Sequence, residues 1–252
     1  MSGPASAAVE SLAAGLLEVL ALNLIGLYVH GSLVSGAFVP DRSDLDLLAV
    51  VNRDLDDSEA DALLMLFESN PFAHDFEIDF RAVTTVVAAE PSAAGWKPTL
   101  AFEIEIRPWS GGRARPRRGP VDEPDLVIEL SQVRERSHTL FGPDASTVVG
   151  PVPAERVVEV GDGHLAMWQD LPFNPDVAEL MVFTACRAWR FAVTGTHTSK
   201  DDAANWVLSR RPDLDVVAEA LAIRHGAEGV IEAEPVFALL RIAREEIARR
   251  RM

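Results

Sequence analysis

Polar and apolar positions follow two rhythms, and the change falls near residue 150. Up to there, stretches with a two-residue alternation are interleaved with helical ones. Beyond it, every periodic stretch steps by three and four. Residues 5–22 set Leu12, Leu16, Leu17 and Leu20 on one side of an Ala-rich segment, which predicts a helix packed on a sheet. Residues 24–30 and 45–51 read as strands. Residues 58–68 read as a helix, with Ser58 as N-cap before Leu63, Leu64 and Phe67, and Asn70-Pro71 ends it. Residues 77–87 form the third strand candidate. In residues 100–107, Phe102, Ile104 and Ile106 alternate with Glu103, Glu105 and Arg107, predicting a strand with one wet face. The segment SGGRARPRRGP, residues 110–120, reads as a solvated turn-rich loop, with a lid over nucleotide phosphates as the sharper alternative. Residues 123–140 read as one helix, with Pro124 and Asp125 in its first turn.

Pro151 and Pro153 mark a linker, so two domains are expected, residues 1–150 and 151–252. The second is predicted to hold helices over residues 157–170, 177–194, 199–209, 214–225 and 235–251. Arg241, Arg244, Arg249 and Arg250 suit the C-terminal dipole of the last helix and need no other role. The fold class expected is α+β: an N-terminal mixed sheet flanked by helices, then an all-helical bundle.

Bulk properties narrow the partners. With 252 residues and 48% hydrophobic positions, the chain can build ordinary packed cores. A net charge of −16 argues against a nucleic-acid partner, because phosphate backbones demand a basic face. It suits a cationic acceptor, which an acidic cleft would attract. The single Cys186 rules out an internal disulfide framework and fits a reducing cytoplasm. The N-terminal stretch lacks a basic region, and Glu10 and Glu18 interrupt it. It is therefore read as a packed helix, not a signal peptide. No run reaches 18 uninterrupted apolar residues, so no membrane span is expected, and the chain is expected to act as a monomer.

The candidate chemistry sits in residues 28–51, YVHGSLVSGAFVPDRSDLDLLAVV. Asp44 and Asp46 lie two apart at the start of a strand, so their carboxylates share a face. Two such carboxylates repel unless a cation sits between them, and Mg²⁺ suits oxygen ligands shared with substrate phosphates. Gly31 removes a Cβ where backbone must turn sharply or approach a ligand, Ser32 offers a hydroxyl, and Gly36 permits a second tight approach.

The order GSxxxG, a short spacer and SDLDLL resembles the signature of the nucleotidyltransferase superfamily, which transfers a nucleoside monophosphate from an NTP with two Mg²⁺ ions. The resemblance implies Asp44 and Asp46 as metal ligands, with Ser32 and Ser43 facing the triphosphate. It also implies a third carboxylate from a neighbouring strand, as metal ligand or base. Asp79 is taken for that role, with Glu77 on the same face as the runner-up, and Arg81 is expected to pair with one of them. A solvated edge-strand face is the plain alternative.

Two further stretches narrow the likeness. LMVFTACRAWRFAVTGTHTSKDDAANWVLSRRP, residues 180–212, resembles the helical domain of the aminoglycoside adenylyltransferases that modify streptomycin and spectinomycin. DLVIELSQVRERSHTLFGP, residues 125–143, resembles the segment joining their two domains. The likeness spans about residues 24–212. It implies transfer of AMP from ATP to an antibiotic hydroxyl, with Mg²⁺ and with substrates held between the domains. Asp201 would contact the acceptor, as would Glu77 and Trp109. Lys200 and Arg210 would reach the triphosphate, and Trp206 would pack. Asn205 stands where the family carries a second Asp, and Ala82 falls near a family Glu in one register. Those departures leave open a different small-molecule or protein acceptor, or an inactive nucleotide-binding relative.

Overall fold

The computed structural model describes residues 3–40, 42–73, 75–92, 98–107 and 113–251. Two compact units divide the chain, Met1–Val152 and Pro153–Met252.

In the first unit, helix α1 (Pro4–Leu20) leads into strand β1 (Leu24–Val29). A short helix α2 (Gly31–Ser35) and a loop connect to β2 (Leu45–Val51). Helix α3 (Asp57–Ser69) crosses to β3 (Ile78–Thr84), and the short α4 (Thr85–Ala89) follows. Then come β4 (Thr99–Ile106), β5 (Ala114–Asp122), α5 (Leu126–Glu135), β6 (His138–Phe141) and α6 (Ala145–Val148). The six strands form one mixed sheet in the order β5-β4-β3-β2-β1-β6. Only the β2/β3 pair is parallel, and α3 provides the long crossover that a parallel pair needs.

β2 shows how sequence sets the layers. Leu45, Leu47, Ala49 and Val51 join the core with α1 and α3, while Leu48 and Val50 join a second core with α5 and α6. Both faces are covered, as a central strand's near-continuous apolar run requires. α1 is long and apolar enough, with the turn after it, to cross a membrane, yet Ala8, Val9, Leu12 and Leu16 are fully buried against the sheet. The N-cap of α3 is Asp56, not Ser58. Its carboxylate accepts from the Glu59 N–H, and the Glu59 side chain accepts from the Asp56 N–H, a reciprocal box that a lone Ser58 hydroxyl cannot build.

Three expectations about the later strands need correction. The segment read as a loop, residues 110–120, contributes to edge strand β5. Arg115 and Arg117 stand opposite Glu105 and Glu103 of β4, and an edge strand tolerates Pro116 and Pro120. The predicted wet face of β4 is not wet at Glu103, which is 3% exposed between Arg81 and Arg117. The helix predicted over residues 123–140 ends at Glu135, Arg136 turns extended, and β6 pairs with β1, supplying the hydrogen-bonding partner that β1's outer edge would otherwise lack.

The second unit is helical: α7 (Ala154–Asp170), α8 (Ala178–Thr194), α9 (Lys200–Arg210), α10 (Asp215–Arg224) and α11 (Ala233–Arg251). α8 is its centre, burying Met181, Val182, Phe183, Cys186 and Trp189 among apolar residues of the other helices. Ser199 caps α9, accepting from the Asp202 N–H at 3.0 Å. Arg244 does more than suit a dipole: it binds Asp162 at 2.9 Å and Gln169 at 2.8 Å on α7.

Candidate active site

The register of the one parallel pair builds the site. Asp46 on β2 stands beside Asp79 on β3, and the face alternation sends both carboxylates the same way. Asp44, two residues before Asp46, joins them. Carboxylate oxygens of Asp44, Asp46 and Asp79 lie within 4.8 Å of one another, all three residues half-buried. Among the described residues this is the cluster fit for a metal; Glu77 is not in it. Glu77 instead faces Arg107, with Oε2 3.7 Å from the guanidinium Nε.

Three like charges at this spacing raise their own cost. Burial, with Asp44 and Asp46 alongside, outweighs the favourable Arg107 guanidinium and pushes the Asp79 carboxyl up to about 7. Arg107, next after β4, donates from Nη1 to Asp79 Oδ1. Its Nη2 lies 3.9 Å from Glu105. The expected Arg81–Asp79 or Arg81–Glu77 pair is not what forms. Arg81 donates to Glu103 and Glu129, each at 2.7 Å, because partners across strands and from α5 lie closer than a residue two along the same strand.

The Gly-Ser bend abuts the carboxylates. Gly31 has φ +67°, and a Cβ there would lie 2.0 Å from Asp46 Oδ2. Only glycine lets the backbone pass this carboxylate. The His30 N–H bonds the Asp46 carbonyl at 3.1 Å, fastening the bend to β2. Gly36, at φ +76°, closes α2. The Ser32 hydroxyl is buried with no partner among the described residues, a polar atom left for a ligand. Ser43, 6% exposed, accepts from the Val39 N–H at 3.0 Å and so holds the loop between α2 and β2.

Behind the bend lies a buried charge network that residue spacing did not reveal. His30 Nε2 is 3.2 Å from Glu129 Oε1, Glu129 binds Arg81, Arg81 binds Glu103, and Arg117 bridges Glu103 to Glu123. Burial opposes charge on both His30 and Glu129. Glu129 and Asp46 overcome it to raise the imidazole's affinity for a proton, and Arg81 with His30 hold the Glu129 carboxyl down at about 2.

In the helical unit, Asp201 is engaged from within. Arg224 Nε donates to its Oδ1 and His225 Nε2 lies on its Oδ2, both at 2.9 Å. Asn205 is exposed one turn on. Arg210 stacks over the Trp206 ring at 3.8 Å, and Trp206 meets Trp189 edge-on. Lys200 begins α9, half-buried. Trp109 lies outside the described residues.

An aminoglycoside (3'')(9) adenylyltransferase of Klebsiella pneumoniae is 31% identical over 196 residues, 75% of this chain and 73% of that protein. The chain belongs to the aminoglycoside (3'')(9) adenylyltransferase family. This adenylyltransferase is also 29% identical over 223 residues to a spectinomycin 9-adenylyltransferase of Staphylococcus aureus, covering 84% of this chain and 81% of that one. Its residues 147–235 match the model for the aminoglycoside adenylyltransferase C-terminal domain. In fold, the chain resembles the crystal structure of spectinomycin adenyltransferase AAD(9) from Enterococcus faecialis with ATP and spectinomycin. That match has a TM-score of 0.74 at 19% identity, over 96% of this chain and 99% of that one.

The alternation of residues 100–107 puts Arg107 on a strand's wet face, and residue spacing gives no sign of His30 or Glu129. The signal for Arg107 was present in the alternation of residues 100–107, but the β3/β4 register decides which acid it meets. No sequence spacing brings Glu129 to His30, since they lie on separate elements.

Proposed function

We propose that this adenylyltransferase transfers AMP from ATP to a hydroxyl of a spectinomycin- or streptomycin-like aminoglycoside, in the cytoplasm and with Mg²⁺ held by Asp44, Asp46 and Asp79. The observation that carries the reading is the convergence of these three carboxylates beside a glycine whose missing Cβ makes room for Asp46. An all-oxygen donor set suits a hard divalent cation. When bound, Mg²⁺ supplies charge neutralisation at the α-phosphate and the departing pyrophosphate, and acidifies the acceptor hydroxyl.

The chain's own groups do the rest. The backbone at Gly31 and the unpartnered Ser32 hydroxyl meet the phosphates. Asp79, which the β2/β3 register sets beside Asp46, would take the proton from the acceptor hydroxyl. The acceptor oxygen attacks the α-phosphorus, the bond to the β-phosphate oxygen breaks, pyrophosphate leaves, and the hydroxyl proton passes to Asp79. Positioning and fixed charge supply most of the acceleration. In this reading Lys200 and Arg210 serve the triphosphate, while Asp201, Asn205, Trp109 and Glu77 serve the acceptor. Ser43 acts through the loop it holds.

A second reading, the same chemistry on another hydroxyl compound, is favoured by one observation. Asp201 is already paired with Arg224 and in contact with His225, and Asn205 carries no charge, so α9 offers a cationic drug less than its acidic first turn suggests. The test is pyrophosphate release from ATP and Mg²⁺ with spectinomycin, streptomycin and other hydroxyl acceptors. Release is expected with at least one of the two named drugs, and Asp44→Asn should lower it by roughly a thousandfold while the fold is kept. Release only with unrelated acceptors would favour the second reading. Full activity in Asp44→Asn would overturn the site.

A further inference from the structure

Arg107 joins the three-carboxylate cluster through Asp79, and its surroundings differ from those of an ordinary structural ion pair. Its Nη1 holds Asp79 Oδ1. Two more acids already form longer ion pairs with it, Glu77 Oε2 at 3.7 Å from Nε and Glu105 Oε1 at 3.9 Å from Nη2. Asp44 also acts on it through space. The cluster of Asp44, Asp46 and Asp79 carries three negative charges when ionised, and Arg107 supplies one positive charge to Asp79, the residue from β3 that completes the set.

We propose that Arg107 is a placeholder for the divalent cation. It pairs with Asp79 in the metal-free protein, competes with the incoming ion, and yields by shifting onto Glu77 and Glu105. The inference rests on the metal-site reading above and deepens it by naming the residue that sets cation affinity. The exchange is favourable on both sides. The ion replaces a single charge with a double one at Asp79, and the released guanidinium is not stranded, because Glu105 on β4 and Glu77 just before β3 flank it. Without those flanking acids, release would leave a largely buried cation uncompensated, a costly state. Arg107 is thus a positioning residue: it keeps Asp79 oriented until the ion arrives.

The test is Mn²⁺ binding to the purified full-length protein, followed by the loss of the free-ion electron paramagnetic resonance signal, with no nucleotide and no turnover. Arg107→Gln should tighten Mn²⁺ binding at least fivefold, because the competitor is gone, and should lower the melting temperature of the metal-free protein while Mn²⁺ restores it. Arg107→Lys keeps the charge and should bind Mn²⁺ within about twofold of the unaltered protein. Arg115→Gln is the control: it removes an equal charge from the adjacent strand, opposite Glu105, and should change the affinity less than twofold. Unchanged or weaker Mn²⁺ binding in a folded Arg107→Gln variant would overturn the placeholder role. So would an Arg115→Gln effect as large as that of Arg107→Gln, which would reduce the matter to overall field. If the unaltered protein bound no Mn²⁺ at all, the metal-site reading itself would fall, and that outcome is distinct from the other two.

Discussion

At the scale of single residues, Asp79 carries the most information. Its carboxyl is held near 7 by burial and by Asp44 and Asp46, against the pull of Arg107. The ordinary value is 3.8, so the folded protein binds this proton more tightly than the unfolded chain does. The stability it contributes is full below about pH 4 and is lost as pH rises through about 7. Metal-free protein is therefore expected to lose melting temperature across that window, and Asp79→Asn to flatten the loss. Added Mg²⁺ should restore more stability at pH 8 than at pH 5, where protons compete for the same oxygens. Scanning calorimetry over pH 5–8 checks the pattern. A wild-type curve no steeper than that of Asp79→Asn would contradict it. Asp44 and Asp46 were legible from the sequence because two residues on one strand share a face. The choice of Asp79 over Glu77 was not, since both share that face and only the pairing of Asp46 with Asp79 separates them.

Elements show where local pattern suffices and where it does not. β2 was readable to the residue because its apolar run is long and its alternation feeds two cores. β5 was unreadable because its arginines and prolines match a loop by composition; it is a strand through its pairing with β4, a long-range fact. The bend between β1 and α2 rests on Gly31. Gly31→Ala would force a left-handed alanine and drive its Cβ into Asp46. Turnover and cation affinity should each fall, turnover by roughly a hundredfold for a displaced ligand, with melting lowered only a few degrees. An active Gly31→Ala enzyme would show that Asp46 need not sit where it does. Arg81 tests the network beneath. Its side chain is 23% exposed and joins the side chains of Glu103 and Glu129, which are 4% and 13% exposed. Arg81→Met leaves two buried carboxylates without their shared cation and should cost about 3–5 kcal/mol in urea unfolding. A loss under about 1 kcal/mol would mean that water or His30 and Arg117 compensate.

For the whole molecule, the α+β class and the helical second half followed from a change of hydrophobic period, which a sequence displays directly. The family likeness lay in short motifs, and the relatives' identities of 29–31% spread it over most of the chain. What the sequence hid was charge pairing between distant strands, and much of the site's electrostatics lives there. The acceptor's identity turns on few residues, among them an exposed Asn205 and an Asp201 already bound by Arg224 and His225. The most direct measurement is mass spectrometry of spectinomycin and streptomycin after incubation with the purified chain, ATP and Mg²⁺, beside an Asp46→Asn control. One of the two drugs should gain the mass of a single adenylyl group with the intact chain and none with the control. Unmodified drugs in both samples, or equal modification by Asp46→Asn, would contradict the account.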